Sequence, residues 1–204
     1  MHKIIAVMLL AGLAACNQNQ HNSVQAETSS IESAQQADKL QAQMPNAQTK
    51  IVNIKTNDLD GDVALMQGLN PFFKQQKFKI VDVVSDDVWS YNDCQNNMQL
   101  RIEGSGVTRY YIKRTEAKPK NYYPDYVMWV MQFADPNQAQ QVEQQIRAAK
   151  RSGQGFCNGK NAEYFVRDGR NVIHLSTRAH MFIDYIQAVA DYIEAHPTTV
   201  EPIE

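Results

Sequence analysis

Residues 126–133 read Tyr-Val-Met-Trp-Val-Met-Gln-Phe, apolar at odd and even positions alike. Successive side chains of a strand point to opposite faces, so a run that is apolar on both cannot sit at a wet surface. It predicts a central strand covered on each side, and that requirement constrains the rest of the chain more than any other stretch.

The elements that could supply cover follow from periodicity. Asp135-Pro136 opens the clearest helix, with Asp as N-cap, Pro at the first position, a stripe of Ala139, Val142, Ile146 and Ala149, and Gly153 beyond Lys150 and Arg151. A last helix spans about 179–195, with Phe182, Ile186, Val189 and Ile193 on one side. Two hairpins are expected. In the first, Met98, Leu100 and Ile102 alternate with polar residues, Gly104-Ser105-Gly106 turns the chain, and Thr108, Tyr110 and Ile112 continue the alternation. In the second, 162–166 and 171–176 turn at Asp168-Gly169, which places Tyr164 opposite Ile173 and Glu163 opposite His174.

Upstream, 51–54 and 77–84 read as strands, with an irregular stretch from Ser85 to Asn97 holding Trp89, Tyr91 and Cys94. Asp58-Leu59-Asp60-Gly61-Asp62 invites a calcium reading. With Gly61 as the sixth loop position, the twelfth is Gln67, so the bidentate carboxylate is missing. The acids instead cap a helix at 63–66, where they oppose its dipole, and Asn70-Pro71 restarts a short turn carrying Phe72 and Phe73. The expected fold class is therefore α+β: one domain over 50–196, a mostly antiparallel sheet with two hairpins, and two main helices packed on it.

The first sixteen residues are a separate matter. Met-His-Lys, an apolar run from Ile4 to Leu13 and Ala14-Ala15 form a secretory signal, too short to span a bilayer. Leu13-Ala14-Ala15-Cys16 resembles the lipobox of bacterial lipoproteins, in which cleavage precedes the cysteine and the cysteine is lipidated. The resemblance implies a signal over 1–15, lipidation of Cys16 and stable membrane attachment by several acyl chains. In that family an Asp after the cysteine retains the protein in the inner membrane. Asn17 stands here, which implies the outer membrane, on its periplasmic face or at the surface. Residues 16–49 then form the anchor and a Gln-, Asn- and Ser-rich tether that cannot offset its ordering entropy, and 197–204 form a loose tail. With Cys16 lipidated, Cys94 and Cys157 remain and are expected to pair in an oxidising compartment, since neither belongs to a Cys-x-x-Cys motif.

Twenty Lys and Arg against 22 Asp and Glu give a formal charge of −2, which carries none of the basic excess of a nucleic-acid binder. Nucleophile elbow, zinc-protease, phosphate-loop and dinucleotide motifs are missing from the sequence. His174, His180 and Asp184 do not share a metal-binding spacing, and Glu163 offers His174 a structural partner. No cofactor, metal or catalytic residue is therefore expected. What stands out is the first hairpin, whose three-residue turn would set Arg101 opposite Arg109, a repulsion that an anion or acidic partner could relieve. A solvated sheet face is the plain alternative. Arg101, Arg109, Tyr111 and Lys113, with the loop residues Lys118, Lys120, Tyr122 and Tyr123, form the candidate partner- or anion-binding surface. The expected function is a membrane-anchored binding or assembly module of an envelope or secretion complex, with a protein partner in the envelope. A ligand-binding or toxin-neutralising lipoprotein and a hydrolase of envelope material are the alternatives.

Overall fold

The computed structural model describes residues 44–57, 61–118, 121–152, 157–159 and 161–198. In chain order the elements are β1 (Lys50–Lys55), α1 (Gly61–Gln76), β2 (Phe78–Ser85), β3 (Val88–Asp93), β4 (Met98–Glu103), β5 (Val107–Arg114), β6 (Asp125–Gln132), α2 (Pro136–Ser152), β7 (Ala162–Asp168) and β8 (Asn171–Thr177). A 3-10 turn (His180–Phe182) and α3 (Ile183–Ala195) close the domain. The class is α+β as expected, but with two sheets and three α-helices among the described residues.

The larger sheet is antiparallel throughout, in the order β2-β5-β6-β8-β7, and β6 is its middle strand. One face carries Tyr126, Met128 and Val130, which pack with Leu65, Leu69 and Phe73 of α1 and Ile186, Val189 and Ile193 of α3. The other carries Trp129 and Met131, which pack with Leu100 and Ile102 of the smaller sheet and Ala139, Val142 and Ile146 of α2. The two-sided apolar run thus receives a cover on each side. The smaller sheet has the order β1-β4-β3, with β1 parallel and β3 antiparallel to β4.

The first hairpin does not form. β4 has both edges occupied by β1 and β3, and β5 has both occupied by β2 and β6, so Gly104–Gly106 is a crossing between sheets. Backbone packs on backbone there. A Cβ on Gly106 would lie 2.5 Å from the Asn57 carbonyl oxygen and 2.8 Å from that of Gln132. Glycine is needed at this position for close approach. Arg101 consequently never faces Arg109: it lies between Asn53 and Ser90 in the smaller sheet, with Glu103 at 3.0 Å.

Other differences are local. α1 runs unbroken through Pro71, because the exposed ring leaves the buried stripe of Leu65, Leu69, Phe72 and Phe73 intact. The stretch read as irregular contains β3. The second hairpin forms two registers away from expectation, with Gly169-Arg170 as its loop, so Tyr164 meets Leu175 and Phe165 meets His174. The tail is tied at its start: the Thr198 amide and hydroxyl both donate to the Asp168 carboxylate. α2 is capped as expected, with Asp135 Oδ1 accepting from the amides of Asn137 (2.8 Å) and Gln138 (3.0 Å). Cys94 and Cys157 form a disulfide whose Cα atoms lie 6.1 Å apart, and the loop it closes is worth about 4 kcal/mol in the chain-entropy account. Cys16, Asp58 to Asp60 and the tether up to residue 43 lie outside the described residues, whereas its end forms a turn in which the Thr49 amide donates to the Asn46 carbonyl at 3.0 Å.

The crossing yields a test. Gly106→Ala should destabilise the domain by about 2–3 kcal/mol, read as a lower midpoint in denaturant unfolding, because two packed carbonyls must move. Gln75→Ala, exposed on α1 away from the crossing, should shift it by less than about 0.5 kcal/mol.

Candidate functional site

Cross-strand pairing lays the side chains of the larger sheet in rows, and on the face toward the smaller sheet these rows change character. The first, Val107–Met131–Val172, is buried. The second runs across all five strands as Val84–Arg109–Trp129–His174–Phe165. The third is Asp82–Tyr111–Val127–Ser176–Glu163, and the fourth pairs Lys79 with Lys113 and Lys113 with Asp125. The smaller sheet and α2 cover the first row and reach Trp129 and Phe165 in the second. Beyond that the face opens into a groove of about 330 Å³ lined by Val81, Tyr111, Lys113, Asp125, Val127, Ser176 and Arg178.

Arg109 sits at the boundary. Its guanidinium lies 4.9 Å from the Trp129 ring and 5.1 Å from that of Tyr111, with the Asp87 carboxylate at 3.0 Å. Its Nε is buried without a hydrogen-bond partner among the described residues. Cation–π contact with partly desolvated rings holds such a guanidinium over the aromatic floor. At the far end Lys113 Nζ lies 5.4 Å from the Tyr123 ring, and Arg178 pairs with Asp125 at 2.8 Å. Arg109, Tyr111, Lys113 and Tyr123 are therefore brought to one face. Tyr122 is exposed in the adjoining loop, where its carbonyl accepts from the Lys118 amide at 2.6 Å. Lys120 lies outside the described residues, and Arg101 belongs to the other sheet. Val81, Val127 and Arg178 escaped the sequence reading, because their place on this face depends on strand order.

Under the covered rows lies a polar cluster. The Trp89 indole N–H donates to His174 Nδ1 (3.0 Å), His174 Nε2 meets Glu163 Oε2 (3.2 Å), and the Tyr91 hydroxyl donates to Glu163 Oε1 (2.6 Å). Indole nitrogen only donates, so Nδ1 accepts and the proton sits on Nε2, pointing at the carboxylate. The imidazole is neutral, with both nitrogens committed and Phe165 stacked on it at 4.4 Å. Burial holds the His174 pKa below its ordinary value, partly offset by Glu163. Burial pushes the Glu163 carboxyl up, but hydrogen bonds from His174 and Tyr91 outweigh it and its pKa is lowered. The Tyr91 hydroxyl is pushed up by burial and by Glu163. Glu163 is within reach of His174 as expected, on the diagonal and not directly opposite. The cluster is a structural tie between the two sheets, since no ring nitrogen is left to meet a substrate.

No family model, curated protein or solved structure matches the chain.

The cluster fixes a pH dependence. Below about pH 6.5 the unfolded His174 takes up a proton that the folded ring refuses, so stability falls as pH drops from that value towards the lowered folded pKa. Unfolding free energy followed from pH 7.5 to 5 should show this slope, and His174→Gln should flatten it. Trp89→Phe, which strands Nδ1, should cost about 1–3 kcal/mol at pH 7.5.

Proposed function

We propose that the domain is a binding module held at a bacterial envelope membrane by lipidated Cys16, and that its recognition surface is the open half of the larger sheet. The observation that carries this reading is the groove in which Tyr111, Val127, Lys113 and Arg178 lie uncovered, beside Arg109 and Trp129. A sheet face that elsewhere is sealed by a second layer here keeps aromatic and aliphatic side chains in contact with solvent. Basic residues rim it: Lys79 stands directly opposite Lys113, and among the described residues neither forms an ion pair, since Asp125, across from Lys113, pairs with Arg178. Such a surface suits an extended polypeptide with an apolar side chain to lay on Tyr111 and Val127 and carboxylates beside it. An accessory role in an envelope or secretion assembly follows from pairing this surface with an anchor.

Photo-crosslinking residues placed in cells at Val127 and at Lys113 should each trap the same defined protein, whereas one at Lys74, exposed on α1, should not. Equal trapping at all three positions, or none, would refute the groove as the recognition surface. Tyr111→Ala with Lys113→Glu should reduce trapping at Val127 at least about tenfold. Arg101→Ser, on the smaller sheet, should leave it unchanged. Cys16→Ser should move the protein from the membrane pellet to the soluble fraction of broken cells, and full retention in the pellet would remove the anchor.

A further inference from the structure

β2 is an outer strand of the larger sheet, so among the described residues one of its edges has no neighbouring strand. Edge strands present a row of unpaired amides and carbonyls, and proteins usually blunt them with charge, brevity or a cover. β2 is eight residues long, and three β-branched apolar side chains within four positions are exposed: Ile80 (40 %), Val81 (50 %) and Val83 (47 %). Its register against β5 shifts at Val81. Ile80 and Val83, opposite the buried Ile112 and Tyr110, therefore both face the α1 side. There Ile80 borders an apolar groove of about 420 Å³ formed with Val63, Met66 and Phe73. On the opposite side Lys79 faces Lys113, a like-charge pair.

We propose that β2 pairs antiparallel with β2 of a second copy of this chain, joining two five-stranded sheets edge to edge across a two-fold axis. A two-fold perpendicular to the sheet keeps like faces together, so residues on the α1 side must meet residues on the α1 side. Pairing Ile80 with Val83 of the second copy, and Val83 with its Ile80, meets that condition and sets Phe78 opposite Ser85. The irregular pair Val81 and Asp82 then falls on the axis. On the other side Lys79 lies diagonal to Asp82 of the second copy, and the reverse contact follows by symmetry, within the range at which cross-strand charges interact. The aspartate arrives beside Lys79, the lysine of the pair that has no acid across from it in the sheet, so one register buries the exposed apolar residues and sets a carboxylate next to that charge. This inference is argued from the strand edge and does not rest on the recognition groove, although Val81 lines that groove and Lys79 stands at its rim.

Sedimentation equilibrium of the full chain tests it. The chain should be a reversible dimer, and Val83→Arg should raise its dissociation constant at least about tenfold by setting charge against Ile80. Because position 83 is exposed, the thermal melt followed by circular dichroism should not move when both proteins are compared as monomers, below the wild-type dissociation constant. The register is read separately: Ile80→Cys mixed with Val83→Cys should form an interchain disulfide faster than either variant alone. A monomer at every concentration would overturn the proposal, and so would a dimer indifferent to Val83→Arg or equal crosslinking in mixed and single variants. If Val83→Arg shifts the melt, the crosslinking comparison decides.

Discussion

Burial of β6 on both faces is the constraint that the rest of the structure answers. A strand with Met128 and Val130 on one side and Trp129 and Met131 on the other needs two separate layers, and one chain has to supply both. α1 and α3 make the first. The second is built from β1, β4, β3 and α2, and reaching it forces the chain out of the larger sheet and back again. The return happens at Gly104–Gly106, where the absence of a side chain lets backbone lie on backbone. Topology here is a consequence of where apolar side chains must go, because each fully buried large residue contributes about 1.5–3 kcal/mol.

The polar cluster between the sheets plays a different part. A typical hydrogen bond adds only about 1 kcal/mol net, so Trp89, His174, Glu163 and Tyr91 do not drive association of the layers. Their leverage is in the alternatives. A shift of β3 against the larger sheet would leave an imidazole nitrogen or a carboxylate buried without a partner, at a cost of about 1–3 kcal/mol for each neutral group and more for the charge. Apolar contacts tolerate sliding, and this network does not. The disulfide acts on the same region from the covalent side, joining the end of β3 to the chain that leads into β7.

Much of this was legible in the sequence, and what was not shares one cause. The two-sided strand, the capped α2 and the stripe of α3 declare themselves through local spacing. Registers and partners do not. Met98–Ile102 and Thr108–Ile112 alternate as a hairpin should, yet each strand finds neighbours from elsewhere, because β1 is far away in sequence and competes for the edge of β4. Asp168 reads as a turn residue, whereas its carboxylate serves Thr198 and the turn moves to Gly169-Arg170. α1 ends at Lys77 in the left-handed region, where a glycine would have signalled the stop, and Pro71 gave a false one. Arg109, Tyr111, Lys113 and Tyr123 were found because they are close in sequence. Val127 and Arg178 were missed because only strand order brings them there.

The open half of the sheet face also limits what its charges can do. Lys113 and Arg178 are exposed, and ion pairs formed by exposed groups are worth between nothing and about 1 kcal/mol in water. A partner held by those groups alone would be weak and sensitive to salt. In the proposed role, affinity on this surface would have to come from covering Tyr111, Val127 and the edge of Trp129, with the basic rim selecting among apolar segments by the charge beside them. Arg109 makes that division of labour possible. It is already neutralised by Asp87 and already stacked on two rings, so it shapes a flat apolar floor without adding an unpaired cation to it. The row in which it lies is shared with His174, whose neutral state is enforced by Trp89. Protonating that imidazole would set a positive charge one strand beyond Trp129 and break the tie that positions β3, so one titration would alter both the stability of the layers and the floor of the groove.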